Sequence, residues 1–171
     1  FRGVLSMSWS NRRRFLGLLG GSAALAACGF TPVYGPNTAA AKLRGRIAIP
    51  SFDSRLSFDF FERLQQRLGP PENPLFQLHI STTIEEQGLA ISQDNAITRY
   101  NLRATAEYSL TSLADNSRVF EARARAFTAY SATASAYATR VAARDAERRI
   151  AVSLADQIAT RIAVAAADFM P

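Results

Sequence analysis

The chain has 171 residues, 48% of them hydrophobic, with 20 basic and 14 acidic side chains and a formal charge of +6. That length suits one domain around one core, and a single cysteine excludes an intrachain disulfide. The charge does not argue for nucleic acid. Arg2, Arg12, Arg13 and Arg14 all precede Cys28 with no acidic residue among them, so the chain from Cys28 onward carries sixteen basic and fourteen acidic side chains, a net of +2.

The first element is an export signal. Arg12-Arg13-Arg14 is followed by the apolar run Phe15 to Ala24 and then by Leu25-Ala26-Ala27-Cys28. A basic run, a short apolar run and small residues in that order make a signal peptide over 1–27. Phe15 to Ala27 is too short to span a bilayer, which takes about 20 residues. The last four residues match the bacterial lipobox. Small residues before the cut fit the peptidase, and the thiol of Cys28 is the atom to which a diacylglycerol is attached. The mature chain is expected to begin at a lipidated Cys28. Arg12 to Leu16 also fits a twin-arginine pattern, Arg-Arg-x-Phe-Leu, and an ordinary basic leader fits it equally well. Met7 is a candidate start of translation.

Residues 28–45, with Gly29, Pro32, Gly35 and Pro36, are expected to be the lipidated N-terminus and a tether. A single domain over 46–171 follows. Ile47-Ala48-Ile49 is a short strand candidate. Leu56, Phe60, Phe61, Leu64 and Leu68 recur at helical spacing, with Ser54 or Ser57 as cap and Gly69-Pro70-Pro71 as stop. Phe76, Leu78, Ile80, Thr82 and Ile84 alternate with polar residues and predict a half-buried strand. The polar stretch Glu85 to Thr98 reads as a loop or wide hairpin. Tyr100 to Leu110 predicts a further strand, Asp115-Asn116-Ser117 a turn, and Phe120 to Ala126 the last strand. Phe127 to Ala136 has no clear pattern. A long helix is expected from about Ala138 to Ala167, with Val141, Ile150, Leu154, Ile158 and Ile162 on its apolar stripe. The fold class predicted is α+β: a four-stranded, mainly antiparallel sheet with two helices packed on one face, in the order β-α-β-β-β-α.

Catalytic chemistry is not indicated. His79 lies on the outward set of a strand with no second His or Cys for a metal. Glu85-Glu86 does not read as an acid/base pair, and no nucleophile motif is present. The sequence therefore predicts a non-enzyme with no cofactor and no metal. The one constellation of interest is basic. Arg99 and Arg103 share a face of one strand, and Arg123 and Arg125 share the corresponding face of the next. Such a patch suits phosphate groups. The same residues also fit a solvated face in which Glu107 and Glu121 pair with arginines.

The octet Cys28-Gly29-Phe30-Thr31-Pro32-Val33-Tyr34-Gly35 resembles the mature start of the LptE family of lipopolysaccharide-assembly lipoproteins, in its alphaproteobacterial form. The resemblance continues through Ile97 to Leu102, Arg123 to Phe127, Tyr137-Ala138 and Arg144 to Arg149. It implies a lipid-anchored protein at the periplasmic face of the outer membrane. It also implies that the chain partners the β-barrel LptD, sits as a plug inside it, assists its assembly and helps deliver lipopolysaccharide to the outer leaflet. Basic sheet residues have been linked to phosphate binding in the family, but those residues do not map one by one onto this sequence, so Arg99, Arg103, Arg123 and Arg125 are candidates for direct contact with lipopolysaccharide by strand geometry alone. The rival expectation is an auxiliary lipoprotein of an ABC-type lipid transport system, distinguished by its partner.

Overall fold

The computed structural model describes residues 33–50, 55–91 and 97–170. The signal segment, Cys28 and Ser54 lie outside the described residues. In chain order the elements are α1 (Ala39–Leu43), β1 (Ile47–Ala48), α2 (Arg55–Leu68), β2 (Phe76–Ile91), β3 (Ile97–Ser112), β4 (Arg118–Ser131) and α3 (Ala136–Phe169). The strands form one sheet in the order β1-β2-β3-β4. β1 pairs parallel with β2, and the other two pairings are antiparallel. This is the α+β architecture that the alternation of apolar residues predicts.

Alternation sets the two faces of the sheet. Phe76 and Leu78 of β2, Leu102, Ala104, Ala106, Tyr108 and Leu110 of β3, and Ala124 and Ala126 of β4 are buried in one cluster with the helices. Phe60, Leu64 and Leu68 of α2 and Ile150, Leu154, Ile158 and Ile162 of α3 complete it. Each fully buried Leu or Ile contributes about 1.5–3 kcal/mol. Alanines fill the seam between α3 and the sheet: Ala106, Ala124, Ala155 and Ala159 are all fully buried. Small side chains let the helix approach the strands closely, at the cost of any tolerance for larger ones. Phe169, at the end of α3, closes one end of the core edge-on against Phe76, with centroids 5.3 Å apart.

The helix stop at Gly69 works as its sequence suggests. Gly69 has φ +86 and its N–H bonds the Gln65 carbonyl at 2.8 Å, a left-handed helix end that favours glycine. A Cβ there would stand 2.8 Å from Arg44 Cγ, because the chain before β1 packs against this corner through Gly45 N–H to Leu68 C=O. The Asp115 turn also forms. Asp115 accepts from the Ser117 N–H and hydroxyl, which hold its carboxyl below the usual range, and Asn116 takes φ +57.

Four features differ from the sequence expectation. The stretch read as a tether contains the helix α1, capped by Thr38 and buried at Ala40 and Leu43. Of the two readings of Glu85 to Thr98, the loop does not hold and the wide hairpin does: Glu85 to Ile91 is strand, as is Ile97 onward, and the two pair antiparallel as the far arm of a long β2–β3 hairpin. β4 likewise runs past Ala126 to Ser131. The β2 arm lacks an apolar face because the long helix lies over β4 and β3: Thr82, Ile84 and Glu86, on the helix side, are exposed, whereas Ala104 and Leu102, opposite Ile84 and Glu86 on β3, are buried. Backbone pairing holds it, with Glu85 opposite Arg103 and Gln87 opposite Asn101. Val141 is exposed rather than on the core stripe, since the burial of α3 begins only at Ala146.

Two arginines join the helices. Arg63 of α2 donates to both carboxylate oxygens of Asp156 on α3, at 2.9 and 3.0 Å, and that pairing holds its guanidinium more firmly protonated than usual. Arg67 donates to Thr160 at 3.1 Å and to Tyr34 Oη at 3.3 Å, with its guanidinium 5.7 Å from the Tyr34 ring centroid. Both partners of the Arg63 pair are about a third exposed, so solvent screening keeps its contribution to stability small.

Candidate functional site: the uncovered face of the sheet

One face of the sheet carries none of the described helices. It displays His79, Ser81, Thr83 and Glu85 from β2, Asn101, Arg103, Thr105 and Glu107 from β3, and Glu121, Arg123, Arg125 and Phe127 from β4. The odd-numbered residues of β3 and β4 point outward because the even-numbered ones fill the core.

Register separates the four candidate arginines. Arg123 stands opposite Glu107 and is ion-paired with it. Glu121 pairs with Arg118 at 2.7 Å and not with Arg123. Arg103 lies between Glu85 on β2 and Phe127 on β4, and Arg125 lies opposite Thr105. Arg99 stands opposite Ser131, near the far end of the hairpin. Among the described residues, Arg99, Arg103 and Arg125 have no carboxylate within ion-pair distance. The outward face is thus part neutralised and part open.

Two depressions follow from this arrangement. One, of about 520 Å³, is lined by Arg103 and Arg125 together with Thr83, Glu85, Asn101, Thr105 and Phe127. The other, of about 560 Å³, contains Arg123 with His79, Glu107, Arg118 and Glu121. Arg103 and Arg125 therefore meet in one site, Arg123 belongs to a second, and Arg99 lines neither. Among the described residues, the first site combines two guanidinium groups that form no ion pair, the hydroxyls of Thr83 and Thr105, the Asn101 amide, one carboxylate, Glu85, and the exposed Phe127 ring. It suits an anion attached to an apolar body. The second combines cations with carboxylates that already satisfy them.

Phe127 is the residue that sequence reasoning missed. It is 86% exposed on an otherwise polar face. The signal was present: continuing the alternation of Arg123 and Arg125 by two places puts Phe127 outward. His79 is exposed on this face, as its position in the strand implies. Among the described residues no group of three His, Cys, Asp or Glu side chains is placed to hold a metal ion.

The helix side of the far arm carries a separate aromatic pair. Tyr100 and Tyr130 stack with centroids 5.1 Å apart, and Tyr130 donates to Glu86 at 3.0 Å. Burial first, and then the Glu86 carboxylate, push the Tyr130 phenol up to about 12.

Residues 44–162 match the family model LptE, described as Lipopolysaccharide-assembly. A search of curated proteins returns no significant match. Among solved structures, a lipoprotein from Caulobacter crescentus is 21% identical with a TM-score of 0.61, covering 75% of this chain and 96% of its own. The rare lipoprotein B from Shewanella oneidensis is 14% identical with a TM-score of 0.55, covering 73% and 97%. A minor lipoprotein from Acinetobacter baumannii is 17% identical with a TM-score of 0.53, covering 69% and 88%. At these identities the structures establish a shared fold.

Proposed function

The chain belongs to the LptE lipopolysaccharide-assembly family, and from that premise we propose that it is anchored to the outer membrane through Cys28 and partners the β-barrel LptD. In this reading it assists barrel assembly and the delivery of lipopolysaccharide to the outer leaflet, and it performs no catalysis. The observation that carries the proposal is the family match over 44–162, which spans the sheet, α2 and most of α3.

The depression between Arg103 and Arg125 supports a direct contact with the lipid. Lipid A and its core carry phosphates, and guanidinium groups bind phosphate through paired N–H donors. Among the described residues Arg103 and Arg125 have no ion-paired carboxylate to give up on binding. The Phe127 ring offers an apolar surface beside them for hydrocarbon. Arg123 is the weaker candidate, because phosphate would have to displace Glu107.

The test is co-purification. An affinity-tagged full chain, extracted in detergent from cells that make it, is expected to bring down one outer-membrane β-barrel in stoichiometric amount. Recovery of an inner-membrane or periplasm-spanning transporter instead would assign the chain to an ABC-type lipid transport system.

A further inference from the structure

Among the described strands β4 is at an edge, since the sheet runs β1-β2-β3-β4. An unpaired edge is a template for another strand. On this edge two carbonyls are already taken. Arg161 of α3 donates to the Arg123 carbonyl at 2.5 Å, and Arg149 of α3 donates to the Ala129 carbonyl at 3.1 Å. In an antiparallel ladder the N–H and C=O of a residue point the same way, and alternate residues point to opposite sides. Arg125 and Phe127, between those two, therefore also direct their N–H and C=O away from β3. Ala132 confirms the parity, because its N–H bonds Thr98 on β3. Among the described residues nothing caps the groups of Arg125 and Phe127. The helix positions between the two arginines include Ser153 and Gln157, which bond each other at 3.4 Å.

The open groups are self-complementary. A two-fold axis at Ala126 sets Arg125 opposite Phe127 of a second copy, and Phe127 opposite its Arg125. Four backbone hydrogen bonds form, and no like charges stand directly opposite, which would be unfavourable. Extending the ladder would place Arg123 opposite Ala129 of the second copy, where both carbonyls are already held by guanidinium groups. We propose that the β4 edge is a strand-pairing surface for a second copy of this chain, and that Arg149 and Arg161 keep it shut. The consequence is a monomer whose Arg125 and Phe127 side chains stay accessible. The proposal does not depend on what those side chains bind.

The test is sedimentation of the purified full chain in detergent. The parent is expected to be a monomer. Arg149→Ala with Arg161→Ala is expected to dimerise with concentration, at least about tenfold more tightly than the parent, since each charge-assisted bond removed had opposed pairing. The corresponding Lys pair, which keeps charge and donors, is expected to stay closer to the parent. Adding Phe127→Pro to the Ala pair is expected to restore the monomer, because the N–H it removes points away from β3. If the Ala pair fails to fold, Arg149→Ala alone is expected to dimerise more tightly than the parent, and a folded single variant as monomeric as the parent would overturn the proposal. A folded Ala variant that stays monomeric, a dimer that Phe127→Pro leaves intact, or a parent already dimeric would overturn the proposal.

Discussion

Arg103 of β3 stands directly across from Phe127 of β4 on the face of the sheet that none of the described helices covers. The two line one depression with Arg125, whereas Arg123, two residues along β4, is held by Glu107. Four arginines that look equivalent in sequence are therefore divided by register into an open pair, a paired residue and an outlier.

The first prediction follows from that division. Arg103→Glu with Arg125→Glu is expected to weaken lipopolysaccharide binding by about ten- to a hundredfold, at the lower end of what charged hydrogen bonds contribute because the site is open to water. Binding measured against purified lipopolysaccharide checks it, with circular dichroism to verify the fold. Unchanged binding by the folded variant would make the depression an ordinary solvated surface.

Arg123→Ala is expected to behave differently. It breaks an exposed pair whose side chains are 54% and 61% accessible. Stability should change by about 1 kcal/mol or less and lipopolysaccharide binding should hardly move. A loss of binding equal to that of the Arg103 and Arg125 variant would show that Arg123 acts together with those two.

The alanine seam between α3 and the sheet predicts intolerance to volume. Ala124 is fully buried. Ala124→Leu is expected to cost about 1–3 kcal/mol by overpacking, and Ile158→Ala about 2–5 kcal/mol by leaving a cavity. Urea unfolding midpoints measure both. A neutral Ala124→Leu would mean that the helix can ride away from β4.

The Tyr130 phenol, raised from 10.0 to about 12 in the folded chain, sets the sign of an alkaline effect. The folded state holds the proton that the unfolded state releases, so this contribution is fully present below about pH 10 and is lost as pH rises toward about 12. Tyr130→Phe is expected to reduce the fall in stability over that window. Unfolding midpoints at pH 9 and 11 for the two proteins give the comparison, and equal slopes would exclude Tyr130 as the source.

Much of this fold is legible in the sequence because burial and alternation coincide where helices cover the sheet. Leu102 to Leu110 and Ile150 to Ile162 write their faces directly into residue type. The far arm of the β2–β3 hairpin is not legible in that way. Thr82, Ile84 and Glu86 face no main core, so backbone pairing alone makes Glu85 to Ile91 a strand, and its polar composition looks like a loop. The site is half legible. Parity places Arg99, Arg103, Arg123 and Arg125 on one face, but the partner of each depends on β3–β4 register, which a one-residue bulge near Leu110 resets. The capping of Ala129 and Arg123 by Arg149 and Arg161 depends on how α3 lies along β4, and no local pattern encodes it.

Lipid attachment is a separate expectation, on a residue outside the described structure. Cys28→Ala is expected to leave an uncleaved, mislocalised precursor that takes up no labelled fatty acid. The parent should resist a high-salt wash, since each buried methylene adds about 0.8 kcal/mol of membrane affinity. Equal labelling of the two would remove the anchor from the account.

The central claim, that this chain supports an outer-membrane barrel in lipopolysaccharide delivery, is tested most directly by depletion. Folded LptD barrel and surface-exposed lipopolysaccharide are quantified as the protein is withdrawn from growing cells. Both are expected to fall together, and to recover when the parent chain is restored. Normal amounts of both after complete depletion would contradict the claim.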